Sequence, residues 1–129
     1  MDANSLPLFP LRVVLLPWEF LPLHIFEERY KLMIGLCREE DRPFGVVLVD
    51  EKGVQNIGCS ARIVKVMGEF PDGRMNILTR GEERFRILHT YDDRPYLTAD
   101  VEFFDDRPED TSPGELTEKI LIFLPEHRK

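Results

Sequence analysis

Only two of the 129 residues are cysteine, too few for a framework of disulfide bridges. Cys37 falls on the apolar stripe of a predicted helix and Cys59 lies in a strand-like run. Both read as small buried hydrophobes, as expected in a reducing compartment. Positive charge is scarce as well: 17 Lys and Arg stand against 24 Asp and Glu, for a net charge of −7. Binding along a phosphate backbone runs on cations that displace counterions, so nucleic acid is not the expected partner. The same balance disfavours anionic membrane surfaces. No apolar run approaches the roughly 20 residues of a membrane-spanning helix. The opening MDANSLPLFPLR lacks the basic start and apolar core of a secretory signal, which makes the cytoplasm the expected location.

Chemical signatures are missing too. There is no GxxxxGK[ST] loop, no GxGxxG after a strand and no GxSxG elbow. Neither CxxC nor HExxH occurs, so no metal site declares itself. The three histidines, His24, His89 and His127, are scattered. Acidic pairs such as Glu39-Glu40 and Asp92-Asp93 sit at turns, linkers or a helix end, where solvation is the ordinary fate of a carboxylate. No catalytic, cofactor-binding or metal-ligating residue is therefore assigned, and no cofactor is expected.

What remains is abundant apolar sequence, 43% of the chain, punctuated by ten prolines and eight glycines. That is one globular domain of many short elements, able to bury roughly two-thirds of its unfolded surface. Leu21 to Tyr30, LPLHIFEERY, organises the rest. Leu21, Leu23 and Ile25 alternate as in a strand; from Phe26 the period changes. Phe26, Tyr30, Met33, Ile34 and Cys37 form one helix face, predicting a helix over about 26–40 that ends before Pro43. Glu27 and Lys31 stand at i, i+4 in the favourable order. Arg29, Arg84 and Arg86 are expected to pair with Glu27 or Glu82 and pin this helix to a sheet.

Around it, Arg12 to Leu16 reads as a short strand, whereas Pro7 and Pro10 argue against regular pairing of residues 6–11. Phe44 to Val49 is a strand buried on both faces. Ile57 to Val66 is a longer one, with Gly58 marking a bulge or a close backbone approach. Phe70-Pro-Asp-Gly-Arg74 is a turn that makes residues 61–80 a hairpin. Gly81-Glu-Glu83 is expected to turn the chain again, into Arg84 to Leu88. Leu97, Ala99, Val101 and Phe103 alternate in a last strand. Residues 105–114 read as a linker, and Leu116, Ile120, Phe123 and Leu124 place a short C-terminal helix within 115–129. The fold class is mainly β (α+β), about six strands closed into a small barrel or folded sheet with one packed helix.

Four apolar residues lie in or beside loops: Trp18, Phe20, Phe70 and Met75. Each can pack into the core, and a buried position is expected for Phe20. The functional alternative is an apolar surface that holds polypeptide.

The quoted segments also resemble a known family. Leu6-Pro-Leu-Phe-Pro-Leu11, Val14-Leu-Leu-Pro17 and Pro22 to Tyr30 are similar to the opening of the N-terminal domain of the ATP-dependent Lon protease. The resemblance runs in order through Arg42 to Val46, Ile57-Gly-Cys59, Pro71 to Arg74, Ile77 to Gly81, Arg84 to Leu88 and Arg94 to Leu97. It implies a folded, PUA-like sheet over residues 1–104 with a helix packed on it. It also implies the start of a helical segment over 115–129. The function implied is a non-catalytic module that recognises unfolded or tagged protein substrates, or a protease component, and helps organise an oligomer. Neither the nucleotide-binding loop nor the Ser–Lys protease domain occurs in the sequence, which suggests a standalone LON-domain protein or an excised fragment. Cereblon-like receptors share this fold but add a zinc domain built on CxxC pairs. A self-association module, or a PUA-like domain for small molecules or RNA, are the alternative readings.

Overall fold

Alternating and β-branched runs between turn residues form six strands and one helix in the computed structural model, which describes residues 5–104. The order is β1 (Ser5–Leu11), β2 (Phe20–Ile25), α1 (Glu28–Glu40), β3 (Phe44–Asp50), β4 (Gly53–Glu69), β5 (Met75–Tyr91) and β6 (Thr98–Phe103). The strands follow one another as β2-β5-β4-β3-β1-β6, and β6 returns to pair with β5. Five strands thus close a ring and β2 lies outside it. The predicted linker and C-terminal helix fall outside the described residues.

The two longest strands divide their length between two structures. Residues 75–80 of β5 pair with β2 and with residues 62–69 of β4, making a three-stranded wing. Farther on, β5 pairs with β6 from Phe85↔Phe103 to Tyr91↔Thr98 and belongs to the barrel. The switch falls at Gly81–Glu83, where the sequence suggests a turn. The chain does not turn there; β5 changes neighbours and bulges, its residues Gly81 to Arg84 spanning one residue more than Cys59 to Ala61 opposite them on β4.

Pro7 and Pro10 are tolerated in β1 for a directional reason. Leu8 donates its N–H to Leu97 O, on the β6 side, so alternation sends the Pro10 nitrogen that way and the Pro7 nitrogen toward β3. Pairing with β6 ends at Pro7, and pairing with β3 begins at Leu8. Each proline therefore faces a position where no partner needs its missing donor. Residues 12–19 are not a strand but a loop, described below.

Barrel packing is set by Phe85, fully buried with Leu6, Leu8, Val47, Ala99 and Val101. Gly45 and Gly58 make room for its ring, since a Cβ at either would lie 2.7 Å from Phe85 Cζ. A Cβ at Gly58 would also lie 2.5 Å from Val46 O, which is the close approach expected there.

The helix covers one face of the wing. Tyr30, Met33, Ile34 and Cys37 are buried against Phe9, Ile25, Phe44, Met75 and Ile77, each such residue contributing about 1.5–3 kcal/mol. Tyr30 stacks on Phe9 at 4.3 Å. Phe26 is not part of this stripe: it precedes the helix and is 57% exposed. Lys31 bonds Glu28 at 2.7 Å rather than Glu27, and also donates to Asp72 O, clipping the helix to the β4–β5 turn. The other clip is Arg62, whose guanidinium reaches Asp41 at the helix end and Glu82 on β5. Arg29 stays local with Glu27, and Arg86 pairs with Glu102, so the pinning falls to other cations than those expected. Both cysteines are buried, and desolvation pushes the Cys37 thiol up to about 11.

Candidate functional site: the bare face of the wing

With α1 on one face, the wing's opposite face has no covering element among the described residues. Leu21, Leu23 and Ile25 point at the helix, which leaves Phe20, Pro22 and His24 facing outward. Register places these three in rows across the sheet. Phe20 stands beside Arg80 and then Arg62; Pro22 beside Leu78 and then Lys65; His24 beside Asn76 and then Gly68. Register shifts in β4 add Val64 and Met67 as extra, exposed residues next to the second and third rows.

Trp18 sits at one end of this face, and its loop is built to present it. Trp18 N–H donates to Gly81 O and Gly81 N–H donates to Glu19 O, both at 2.9 Å. Leu16 N–H is held by the Glu19 carboxylate at 2.8 Å, and Leu16 O lies where a Gly81 Cβ would be, 2.4 Å away. Only glycine lets the loop dock on β5 so closely. The result is Trp18 at φ 73, 72% exposed, with the Arg80 guanidinium 5.1 Å above its ring. A bulky residue with positive φ is a costly conformation that persists only where its surroundings impose it.

Phe70 occupies the other end. The β4–β5 turn closes through Phe70 N–H to Arg74 O and Gly73 N–H to Phe70 O. Arg74 lies 4.8 Å over the Phe70 ring. Asp72 accepts the Arg74 N–H, which holds its carboxyl below the usual carboxylate range, and its side chain also binds the Arg74 guanidinium. His24 joins this end to β2, edge-on to Phe70 at 6.5 Å, stacked on Phe26 at 5.7 Å and bonded to Asn76 Oδ1 at 2.6 Å. From Phe20 to Ile25 the strip is about 17 Å long, by the rise of an extended strand.

Of the four residues singled out from sequence, Trp18 and Phe20 therefore share one end, and Phe70, 39% exposed, marks the other. Phe20 is not buried as expected but 60% exposed, because strand alternation assigns the helix-facing side to Leu21. Met75 is the opposite correction: it is 7% exposed, packed under the helix with its sulfur 3.9 Å from Arg38 Nη1, and is no part of the face. Residues missed from sequence are Pro22, Phe26, Val64, Met67 and Leu78. The signal for Pro22 was present in β2, whose two faces are both apolar although one helix covers only one of them.

Beside the strip, a cavity of about 420 Å³ opens between β2, the end of β1 and the start of α1. Its walls are mainly apolar, including Phe9, Leu11, Leu23, Phe26 and Tyr30, with the Glu27–Arg29 ion pair also lining it. Among the described residues no group of three or more His, Cys, Asp or Glu side chains could hold a metal ion, and no helix is long and apolar enough to cross a membrane.

Comparison with known proteins places this architecture. The profile of the ATP-dependent protease La (LON) substrate-binding domain matches residues 5–125. The Lon protease of Cytophaga hutchinsonii is 29% identical over 121 residues, 88% of this chain but 15% of that protein. The chain thus spans about 15% of the length of the full proteases it matches. A crystal structure of a Lon N-terminal domain protein from Xanthomonas campestris superimposes with a TM-score of 0.69 at 32% identity, covering 92% of this chain and 74% of that one. The N-terminal domain of the Mycobacterium avium complex Lon protease gives 0.63 at 19% identity, over 96% and 69%, a likeness of fold. The chain belongs to the LON substrate-binding domain family.

Proposed function

We propose that this domain is a non-catalytic, cytoplasmic polypeptide-binding module whose binding surface is the bare face of the wing. Its partners are unfolded or tagged protein segments, or a protease component that receives them. The observation that carries this reading is Trp18, held outward by a loop docked on Gly81 at the expense of a left-handed backbone. Folding alone gives no reason to spend strain on exposing an indole. Phe20, Pro22, Leu78, Val64 and Met67 continue the apolar surface from it, and exposed contiguous apolar surface marks a place of interaction. The neighbouring cavity is suited to accept one apolar side chain.

Among the described residues no strand pairs with the outer edge of β2, and the make-up of that edge supports binding across the face rather than addition of a further strand. Glu19 O accepts from β5, so alternation turns Phe20, Pro22 and His24 toward the open edge, and Pro22 has no donor to offer there. The test is fluorescence anisotropy with a labelled, permanently unfolded protein. Saturable binding is expected, weakened about tenfold or more by Trp18→Ala and less by Phe70→Ala, because buried aromatic anchors dominate such contacts. Absence of binding to any unfolded chain would sink the reading.

A further inference from the structure

The nine positions of the three cross-strand rows contain Arg80, Arg62, Lys65 and His24 but no carboxylate. This is notable in a chain of net charge −7. Three carboxylates nearby on the same strands and loop are already engaged, Glu19 by Leu16 N–H, Glu82 by Arg62 and Glu69 by Arg38, and the exposed Glu83 makes no ion pair with Arg80 or Lys65. Arg62 is satisfied by Glu82 and Asp41. Arg80 has the Trp18 ring but no carboxylate partner among the described residues, and Lys65 is exposed with none. Two uncompensated cations thus flank the apolar middle of the face, Arg80 beside Phe20 and Lys65 beside Leu78.

From this charge pattern we infer that the face selects polypeptide segments in which aspartate or glutamate flanks the apolar residues, Arg80 and Lys65 taking the carboxylates. The inference rests on the polypeptide-binding reading and adds its selectivity. A carboxylate at Arg80 completes a stack in which the guanidinium lies between an anion and the indole. A basic segment would instead place like charges side by side and be rejected. Phosphates complement the same cations, but two free cations among acidic surroundings supply little of the counterion release on which nucleic-acid binding depends.

The test uses the full chain and short fluorescent peptides of leucine and phenylalanine flanked by aspartates, by lysines, or by neither. At low salt the aspartate-flanked peptide is expected to bind about three- to fivefold more tightly than the neutral one, and the lysine-flanked peptide more weakly, in line with exposed ion pairs. The preference should fade as salt is raised. Arg80→Glu with Lys65→Glu should invert the order; Lys65→Glu alone, at an exposed site, carries the test if the double variant fails to fold. Equal affinities for all three peptides, or an order unchanged by charge reversal, would overturn the selectivity while leaving polypeptide binding standing. No binding by any peptide would overturn both. Tighter binding of a single-stranded oligouridylate than of any peptide would assign the face to nucleic acid. A dimer lost on Lys65→Glu and indifferent to peptide would assign it to a second copy of the chain.

Discussion

Trp18 adopts φ 73 because three hydrogen bonds and the Gly81 contact fix the loop around it, and the ring is then left in solvent. Removing the ring while changing the backbone requirement separates these effects. Trp18→Ala and Trp18→Gly both lose the stack with Arg80, but only glycine relieves the left-handed strain. The glycine variant should be the more stable of the two by about 1 kcal/mol in chemical denaturation, the reverse of the usual order. The exposed and buried members of the apolar set part in the same assay. Met75→Ala should cost about 2–5 kcal/mol, as for a buried large-to-small change, and Phe20→Ala less than about 0.5. The sequence could not separate this pair. Both are apolar residues at the edge of a predicted strand, and which face each takes depends on where the helix lies. Trp18 was legible as loop-borne, yet its strained backbone follows from a contact with Gly81, 63 positions away (81 − 18), that no local pattern encodes.

At the scale of elements, most of the architecture was open to reading because periodicity and turn chemistry agree. The helix stripe from Tyr30 to Cys37, though not Phe26 before it, the Phe70–Arg74 turn and the closing strand at residues 98–103 emerge as expected. The failures share a cause: each element's role is set by its neighbour. Pro7 and Pro10 look prohibitive until the pairing on each side of β1 is known to stop short of them. Gly81 looks like a turn because glycine is needed there, but the need is for close approach by the loop before β2. The barrel offers a sharp check on such approach. Gly45→Ala should destabilise through Phe85 and Leu8 side chains alone, so Phe85→Leu should recover part of the loss. Gly58→Ala meets the backbone oxygen of Val46, and the same second substitution should not rescue it. Double-mutant cycles from urea unfolding would expose a coupling of opposite pattern if the packing were otherwise.

The described residues combine a closed barrel, which hides its edges, with a wing that leaves one face bare. Burial under the helix also has a global signature in pH. The native Cys37 thiol keeps its proton to about 11, whereas an unperturbed thiol releases it near 9. Between these values unfolding releases a proton, so stability should fall as pH rises, by about 2–3 kcal/mol in total. Tyr30, raised mainly by desolvation, acts in the same direction. Cys37→Ala should flatten the alkaline limb of the stability–pH profile; an unchanged limb would mean that the thiol is not desolvated as described.

For binding at the bare face the chain carries its own reporter, since Trp18 is its single tryptophan. Titrating the protein with a tryptophan-free unfolded polypeptide and following its emission tests that binding where the contact is expected. A saturable blue shift, matching the binding curve seen from the polypeptide's own label, is the predicted result, because the indole leaves water as it is covered. Binding that saturates with the emission unmoved would place the partner elsewhere and contradict the account.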